Sequence, residues 1–189
     1  MGKIVNSTYI SLDGVVENPH LWPALPAGRG DTGDQIQVDL LQASDAVVMG
    51  RRTYDGFAPV WPTRSGDPYS DRINTMPKYV VSSTLTDPEW ANTTVIDGGG
   101  DVIGELRRLK ESGQDLVQYG YGQLSSAMLE AGLLDELRLW VHPQFVGRGG
   151  MDDLIFRECT PTSLRLLDTT PLGNGIVILS YAVGAGDEA

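Results

Sequence analysis

Two adjacent arginines follow an apolar segment in the stretch Ala46-Val47-Val48-Met49-Gly50-Arg51-Arg52-Thr53. The apolar segment predicts a short strand that is buried on both faces. After a turn at Gly50, the two guanidinium groups, the Thr53 hydroxyl and backbone N–H groups at a helix start are donors suited to phosphate. The alternative is an ordinary surface turn with solvated arginines. The pair calls for an explanation because 14 basic against 25 acidic residues give a net charge of −11.

A second candidate for phosphate is the junction Gly120-Tyr121-Gly122-Gln123-Leu124, which follows the predicted strand Leu116–Tyr119. Small residues there let backbone N–H groups approach a pyrophosphate at the positive end of a helix. The cluster Gly98-Gly99-Gly100 is interpreted instead as a turn with a helix cap at Asp101. It misses the dinucleotide fingerprint, since Ile103 occupies the position of the last glycine.

Hydroxyl groups follow a third predicted strand, Tyr79-Val80-Val81, at Ser82 and Ser83. In open parallel sheets, ligands bind beyond the carboxyl ends of the strands. Three such strand ends favour an adenine dinucleotide, with one cluster at the pyrophosphate and another at an outlying 2′-phosphate. Taken alone, the serines are also consistent with a plain strand end.

Aromatic side chains in two long loops could form the walls of a planar substrate site. Residues 17–33 contain Trp22, and residues 59–77 contain Trp61 and Tyr69. Loops of this length in a small domain are usually functional or disordered. Packing beneath the loops is the alternative interpretation.

The composition narrows the class of protein. The 189 residues, of which 41% are hydrophobic, are expected to form one domain at 1–184 with a frayed tail at 185–189. No apolar run is long enough for a membrane span, and no signal peptide is recognised. The lone Cys159 favours a reducing cytoplasm. The acidic balance argues against nucleic-acid binding, and His20 and His142 lack the spacing of a metal site.

Predicted strands and helices alternate up to Gly132, and strands dominate after it. This order predicts an α/β fold with a mostly parallel sheet that ends in antiparallel C-terminal strands. We expect Asp34 to cap a helix that runs to about Ser44, and a short helix near Thr53 to Phe57. Later predicted elements are a helix capped by Asp101, a long strand Leu137–Val146, and an antiparallel pair at Leu164–Asp168 and Ile176–Val183.

An ordered set of motifs resembles the dihydrofolate reductase superfamily, and within it the reductase domain of the bifunctional riboflavin-biosynthesis deaminase-reductase. The set covers about residues 3–183. It comprises Ser11-Leu12-Asp13-Gly14-Val15, Ser44 to Phe57 with the arginine turn, Arg72 to Ser82, Gly120 to Leu124, Gly132 to Glu136, and Val141-His142-Pro143 with Gly147 and Gly149.

The resemblance implies a three-layer α/β/α fold that binds NADPH at the strand ends. Gly50, Arg51, Arg52 and Thr53 match its basic turn, and Arg51 is expected near the 2′-phosphate. Ser82 and Ser83 match the hydroxyls beside the adenosine ribose phosphate, and the pyrophosphate is expected at Gly120, Gly122, Gln123 and Leu124. Ser11 and Asp13 belong to the loop near nicotinamide and substrate. Asp34 lies near the place of the substrate-binding carboxylate.

The resemblance implies an NADPH-dependent reductase of a small heterocyclic metabolite. The substrate most directly suggested is 5-amino-6-(5-phosphoribosylamino)uracil, with a dihydrofolate-type activity as second choice. Two departures, Tyr121 between the glycines and the acidic segment at 150–153, motivate the alternative of a non-catalytic ligand-binding scaffold. Asp13 and Asp34 are the candidate catalytic carboxylates, although a turn residue and a helix cap are the simpler interpretations. The long strand and the C-terminal strands suggest a homodimer.

Overall fold

The computed structural model describes residues 1–25, 33–156 and 158–184. Pro26, Gly28 and Gly30 of the first loop, and the tail 185–189, lie outside the described residues. The chain divides into two compact units, the first made of Met1–Ile4 and Gln35–Tyr119, the second of Val5–Asp34 and Gly120–Ala189. The single domain at 1–184 stays a prediction.

Strands and helices alternate along most of the chain. The strands are β1 Ile4–Ser11, β2 Ala46–Gly50, β3 Lys78–Ser82, β4 Thr93–Asp97, β5 Leu116–Tyr119, β6 Glu136–His142, β7 Leu164–Pro171 and β8 Val177–Val183. The α-helices are α1 Gly33–Gln42, α2 Arg51–Phe57, α3 Pro68–Thr75, α4 Val102–Glu111 and α5 Gln123–Glu130. Single 3₁₀ turns lie at Pro19–Leu21, Trp61–Thr63 and Met151–Asp153.

Parallel strands form the sheet of the first unit, in the order β4-β3-β2-β5. Strand β2 lies between two neighbours, and its residues 46–49 are fully buried. A parallel strand that is covered on both faces reads as a continuous apolar run, which is why the sequence predicted it. Because β2 pairs with β3 up to Gly50 and Val81, the two strands end side by side.

The predicted loop 59–77 is wrong in part, because residues 68–75 form α3. The Asp67 carboxylate accepts hydrogen bonds from the backbone N–H groups of Tyr69 and Ser70, and Pro68 occupies the first helical position. Both are helix-start signals. The helix expected near Thr53 begins two residues earlier, at Arg51. Asp101 caps α4 as predicted, accepting from the N–H of Gly104 at 2.9 Å.

The second unit contains the order β1-β6-β8-β7. Strands β1 and β6 are parallel, with Tyr9 opposite Trp140, whereas β8 pairs antiparallel with β6 and with β7. Strand β6 ends at His142 and not at Val146 as predicted, because Pro143 has no N–H to donate to a ladder. The closing pair was predicted in the correct place, although β7 extends to Pro171.

Helix α1 begins at Gly33, so Asp34 lies inside its first turn and is not the residue that precedes the helix. This corrects the predicted cap. Within the described part of the chain, no helix is long and apolar enough to cross a membrane.

Candidate functional site

Arg51 is held at the end of β2 by two side chains of the first unit. Its Nε donates to Asp55 Oδ1 at 2.7 Å, one turn along α2, and its Nη1 donates to Thr84 Oγ1 at 3.3 Å. The side chain is 39% exposed. The guanidinium group is therefore oriented while part of its donor edge stays accessible to solvent. Arg52, the next residue, is exposed.

Ser82 lies at the end of β3, and its hydroxyl is used by the following turn. Ser82 Oγ accepts hydrogen bonds from the backbone N–H groups of Thr84 at 3.2 Å and Leu85 at 3.0 Å. Ser83 is exposed. The structure thus brings the arginine turn and the serine turn together through Thr84, a residue that the sequence analysis missed. The sequence signal that could have identified Thr84 is the run of hydroxyl side chains Ser82-Ser83-Thr84, in which the Thr84 hydroxyl accepts from Arg51.

Thr53 faces strand β5 of the same unit, where its hydroxyl donates to the carbonyl of Tyr119 at 3.4 Å. Trp61 also belongs to this unit. Its ring packs against Phe57, at 6.0 Å between centroids, and Tyr69, at 4.8 Å, and Arg64 lies 5.0 Å from its centroid. Trp61 therefore belongs to an aromatic cluster.

The glycine turn at 98–100 has the structural role that was predicted for it. Gly98 N donates to Ser82 O at 3.1 Å, and Gly99 N donates to Asp97 Oδ1 at 2.9 Å. A cleft of about 390 Å³ beside this turn is lined by Asp97, Asp101 and Glu105. Carboxylates there oppose phosphate binding.

Gly120 and Gly122 precede α5 in the second unit. Gly120 has a φ of 78°, and its carbonyl accepts from Asn6 Nδ2 at 2.8 Å. The N–H of Gly122 donates to Ser125 Oγ at 3.2 Å. The N–H groups of Gln123 and Leu124, at the first two helical positions, have no hydrogen-bond partner within the described ranges. Donation toward a ligand would therefore come from these two residues, and Gly122 would only supply space.

Tyr121 packs into the interior of the second unit. Its side chain is 9% exposed and belongs to a hydrophobic cluster with Val16 and Leu137. The effect of this residue on cofactor binding stays a prediction.

The Asp13 carboxylate holds two loops of the second unit together. It accepts hydrogen bonds from Ser11 Oγ and from the backbone N–H groups of Gly147, at 2.8 Å, and Val146, at 3.1 Å. These bonds, that of Ser11 first, lower the pKa of Asp13 from 3.8 to about 2. Asp13 is thus ionised at neutral pH. We assign it to loop positioning, and its role as a candidate catalytic carboxylate stays a prediction.

The other residues that were predicted to contact the substrate differ in their exposure to solvent. Ser11 is buried, and its hydroxyl also accepts from the N–H of Val15 at 2.9 Å. Asp34 is exposed in the first turn of α1. Trp22 is 9% exposed, and its Nε1 donates to the carbonyl of Glu17 at 3.0 Å.

An aromatic group that the sequence did not predict surrounds His142 in the second unit. The His142 ring lies 4.9 Å from that of Tyr9 and meets that of Trp22 edge-on at 5.2 Å. Trp22 and His142 line a cleft of about 320 Å³. The only signal in the sequence was a histidine placed directly before a proline at a strand end.

A metal centre has no support in the parts of the chain described above, where no group of three or more His, Cys, Asp or Glu side chains could hold an ion.

Comparison with known proteins identifies the relatives of this chain. Residues 3–178 match the model of the RibD C-terminal domain. The chain is 25% identical over 188 residues to the uncharacterized protein YyaP of Bacillus subtilis (strain 168), covering 95% of this chain and 94% of YyaP.

Two solved structures share the fold. One is a putative riboflavin biosynthesis protein from Shewanella sp. PV-4, with a TM-score of 0.70, 22% identity and coverage of 97% of this chain and 99% of that chain. The other is a diaminohydroxyphosphoribosylaminopyrimidine deaminase/5-amino-6-(5-phosphoribosylamino)uracil reductase from Thermotoga maritima. Its TM-score is 0.66 at 13% identity, and the match covers 96% of this chain but 56% of that one. The predicted α/β fold, with mostly parallel strands and antiparallel C-terminal strands, is confirmed. Because the domain model matches most of the sequence, this chain belongs to the family of RibD C-terminal domains.

Proposed function

We propose that the chain is an NADPH-dependent reductase that transfers hydride to a small heterocyclic metabolite. The substrate we favour is 5-amino-6-(5-phosphoribosylamino)uracil, and a dihydrofolate-type ring is the second choice. The family membership over residues 3–178 supports this class of reaction, as does the reductase activity in the name of the Thermotoga maritima protein. The observation that carries the cofactor assignment is the orientation of Arg51 by Asp55 and Thr84.

Arg51 fits a phosphate because its neighbours leave donors available. The Nε and Nη1 atoms are engaged, and Nη2 has no partner in the described part of the chain. A planar guanidinium fixed at one edge can bind phosphate oxygens with the other edge. The nearby Asp55 carboxylate reduces the net positive charge, so we expect the geometry of the donors, together with the exposed Arg52, to determine the affinity.

Gly50 in the first unit and Gly122 in the second unit each leave open space around the backbone. At both glycines, no atom of the described residues lies within 4 Å of the position that a Cβ would occupy. Their φ values are −78° and −153°, which any residue adopts. The packing of the chain itself thus requires glycine at neither position. The close approach of a pyrophosphate to the N–H groups of Gln123 and Leu124 is a reason for Gly122.

The nicotinamide ring, when bound, supplies the hydride, and the chain orients the reactants. In the first unit we assign Ser82, Ser83 and Thr53 to contact with phosphate and Trp61 to contact with substrate. In the second unit we assign Ser11 and Trp22 to contact with substrate. Asp34, exposed on α1, is our candidate for contact with the substrate ring. The ionised Asp13 keeps its loop in place and carries no proton to transfer at neutral pH.

The alternative of a non-catalytic scaffold rested on two features, and each has a local structural role. Tyr121 packs into the core of the second unit. In the acidic segment 150–153, Asp153 accepts from the N–H of Gly150 at 2.6 Å and so closes its own turn. Neither feature favours the scaffold over the reductase.

The cofactor assignment is tested by titrating the protein with NADPH and NADH while following the fluorescence of its four tryptophans. We expect NADPH to bind more tightly than NADH, and Arg51→Ala to remove most of that preference, about tenfold or more. Arg108→Ala is the matched control, because Arg108 is an exposed arginine paired with Glu105 on α4. An unchanged NADPH preference in Arg51→Ala would remove Arg51 from the site. Binding of NADPH without its oxidation by any candidate substrate would favour the scaffold.

We also propose that the chain forms a homodimer through β7. This strand is the last in the order of the second unit, and Leu164, Leu166 and Leu167 are 41%, 52% and 46% exposed. Of the long strand and the C-terminal strands that the sequence suggested for this role, β6 has β1 and β8 on its two sides. Light scattering should give the mass of a dimer, and Leu166→Lys should reduce it to a monomer, whereas Leu12→Lys, at another exposed leucine, should not. A monomeric wild-type protein would exclude the proposal.

A further inference from the structure

Strand β4 has a single neighbour in the described part of the chain, the parallel strand β3. At the start of this pair, the N–H of Lys78 donates to the carbonyl of Asn92 at 2.8 Å. At its end, the N–H of Gly98 donates to the carbonyl of Ser82 at 3.1 Å. In a parallel pair, every second residue directs both its N–H and its C=O toward the neighbouring strand. The two bonds therefore place the even-numbered residues of 92–98 against β3 and turn the odd-numbered residues outward.

The outward-facing residues of β4 leave backbone groups free along the edge of the sheet. The N–H groups of Val95 and Asp97 and the carbonyl groups of Thr93 and Val95 have no hydrogen-bond partner among the described residues. The carbonyl of Asp97 does not belong to this set, because it accepts from the N–H of Gly100 at 3.0 Å. Unpaired backbone groups in a row are a template on which another strand can pair.

The sequence of β4 lacks the usual protection of an edge strand. Edge strands are commonly protected by a lysine, a proline or a β-bulge. The five residues of β4 include neither lysine nor proline, and their register with β3 is regular throughout. Four of the five are β-branched, which favours an extended backbone. The edge is thus preformed for the addition of a strand.

A cleft of about 390 Å³ lies beside this edge, since three consecutive residues of β4, 94–96, line it. Tyr79 adds an aromatic ring, and Asp97, Asp101 and Glu105 add three carboxylates. No lysine, arginine or histidine is among its described lining residues. This composition fits the side chain of a lysine or an arginine, whose stem packs on apolar surface while its charged end meets an acid.

Charge decides which kind of chain can occupy the edge. Arg108 neutralises part of the cleft, because its guanidinium pairs with Glu105 and lies 3.8 Å from Asp101. The Asp97 carboxylate accepts from the N–H of Gly99 and has no ion-pair partner within the described ranges, so an excess of negative charge remains. A second copy of this chain would bring the same carboxylates and a net charge of −11, and like charges repel. A basic segment of a different protein is attracted instead.

We propose that β4 binds an extended basic segment of a partner protein as an added strand. The backbone of the segment pairs with Thr93, Val95 and Asp97, and every second side chain, a lysine or an arginine, enters the acidic cleft. Main-chain hydrogen bonds supply affinity in this mode of recognition, and the alternate side chains supply specificity. The edge holds none of the residues assigned to the cofactor or the substrate, so the inference goes beyond the proposed reaction.

The test uses a capped peptide of about seven residues, the length of an ordinary strand, in which lysine and valine alternate. One control peptide has glutamate in place of lysine. A second control keeps the lysines but carries N-methyl groups on consecutive central amides, which retains the charge and removes strand pairing on both edges. We expect the lysine peptide to bind the full chain with a dissociation constant on the order of 100 μM at low ionic strength. Both controls should bind at least about tenfold more weakly.

The backbone amide signals of Val95 and Asp97 in ¹H–¹⁵N NMR report strand addition directly. We expect both signals to shift with the lysine peptide and their hydrogen exchange to slow, because these N–H groups gain acceptors. Val95→Pro removes one outward N–H at an edge position, where proline is tolerated, and should weaken binding about tenfold. Asp97→Asn should weaken it about two- to fivefold. Asp39→Asn, at an exposed aspartate on α1, is the control for net charge and should leave binding unchanged.

Equal binding of the lysine peptide and its N-methylated form would overturn the inference, because charge attraction alone would then account for the binding. No binding, or binding that leaves the signals of Val95 and Asp97 unshifted, would do the same. If these two signals depend on protein concentration without peptide, a second copy of the chain occupies the edge and the inference is wrong. The N-methylated control with wild-type protein remains decisive if Val95→Pro fails to fold. An intact preference for NADPH in the same sample would show that the reductase proposal survives such a failure.

Discussion

The Asp13 carboxylate accepts a hydrogen bond from the backbone N–H of Gly147 at 2.8 Å and thereby joins the loop after β1 to the loop after β6. Strands β1 and β6 are parallel neighbours, so their following loops emerge on the same side of the second unit. The N–H of Leu12 donates to the carbonyl of Gln144 at 2.9 Å and adds a second link. One ionised side chain thus organises the loop that the family resemblance places near the substrate.

We expect Asp13→Asn to lower the free energy of unfolding at neutral pH. An asparagine keeps one acceptor oxygen but presents an NH₂ group where the second oxygen now accepts an N–H. The deficit should depend on pH because the pKa of Asp13 is about 2 when folded and 3.8 ordinarily. A carboxyl group whose pKa is lowered by folding stabilises the folded state at every pH above its ordinary pKa. This contribution is lost as the pH falls through the pKa of the folded state.

Urea unfolding of both proteins at several pH values measures this effect. The difference between wild type and Asp13→Asn should be constant above about pH 4 and should shrink toward pH 2. Asp39→Asn is the control, since Asp39 is exposed and bonds to Gln35 on its own helix. If the difference in the free energy of unfolding between the two proteins does not change with pH over this range, the charge of Asp13 does not hold the loops together.

Local signals in the sequence predicted the fold where one physical rule dominated. The apolar run Ala46–Met49 reads as a doubly buried strand, and the structure buries all of it. Asp101 before an amphipathic segment reads as a helix cap, and it is one. Helix α3 was missed because prolines and glycines on its N-terminal side suggested a loop, although Asp67-Pro68 already carried the start of a helix.

The candidate site was less predictable because it depends on where side chains point. The family resemblance placed Arg51 and Ser82 at the same ribose phosphate of the cofactor, and the structure shows that the strands before them, β2 and β3, are parallel neighbours. It could not show that Thr84 links them, or that the hydroxyl of Ser82 is used within its own turn. His142 gained its importance only from the packing of Tyr9 and Trp22, which come from a distant part of the chain.

A buried lysine in the first unit makes the stability of the protein depend on pH in the alkaline range. Lys78 is fully buried, and its Nζ donates to the carbonyls of Met76 at 2.7 Å and Asn74 at 3.3 Å and lies 4.7 Å from the Trp90 ring centroid. Burial lowers its pKa from 10.5 to about 8. Between these values the unfolded chain binds more protons than the folded one, so stability rises with pH there.

We therefore expect wild-type stability, relative to Lys78→Met, to increase by about 1–3 kcal/mol between about pH 8 and pH 10.5. Chemical denaturation across this range measures the change. Lys3→Met, at an exposed lysine, should show no such trend. A stability difference that falls with rising pH would contradict the assignment, because it would mean that the fold favours the charged form of Lys78.

Substitution by alanine is expected to have opposite effects on stability at Gly98 and at Gly56. A Cβ on Gly98 would lie 3.0 Å from Ser83 N and 3.1 Å from Ser82 C, both backbone atoms, whereas no atom in the described part of the chain lies within 4 Å of a Cβ on Gly56. Gly98→Ala should therefore destabilise the protein by about 1–3 kcal/mol. Gly56→Ala, inside α2, should stabilise it by about 0.5–1 kcal/mol. Thermal unfolding of the two variants tests the close approach of the 98–100 turn to β3, which equal effects would refute.

The last prediction concerns the cap of helix α3. Asp67 Oδ1 accepts from the backbone N–H groups of Tyr69 at 3.1 Å and Ser70 at 2.9 Å, so Asp67→Ala leaves two donors without their acceptor. We expect a lower free energy of unfolding, measured with urea, because a helix N-cap is lost. Asp87→Ala, at an exposed aspartate outside any helix, serves as the control for the change in net charge. If both variants unfold at the same urea concentration as wild type, then Pro68 alone is sufficient to start the helix and the carboxylate contributes nothing measurable. A selective loss in Asp67→Ala would instead show that this side chain determines where the 59–77 segment becomes helical, and hence where Trp61 and Tyr69 meet.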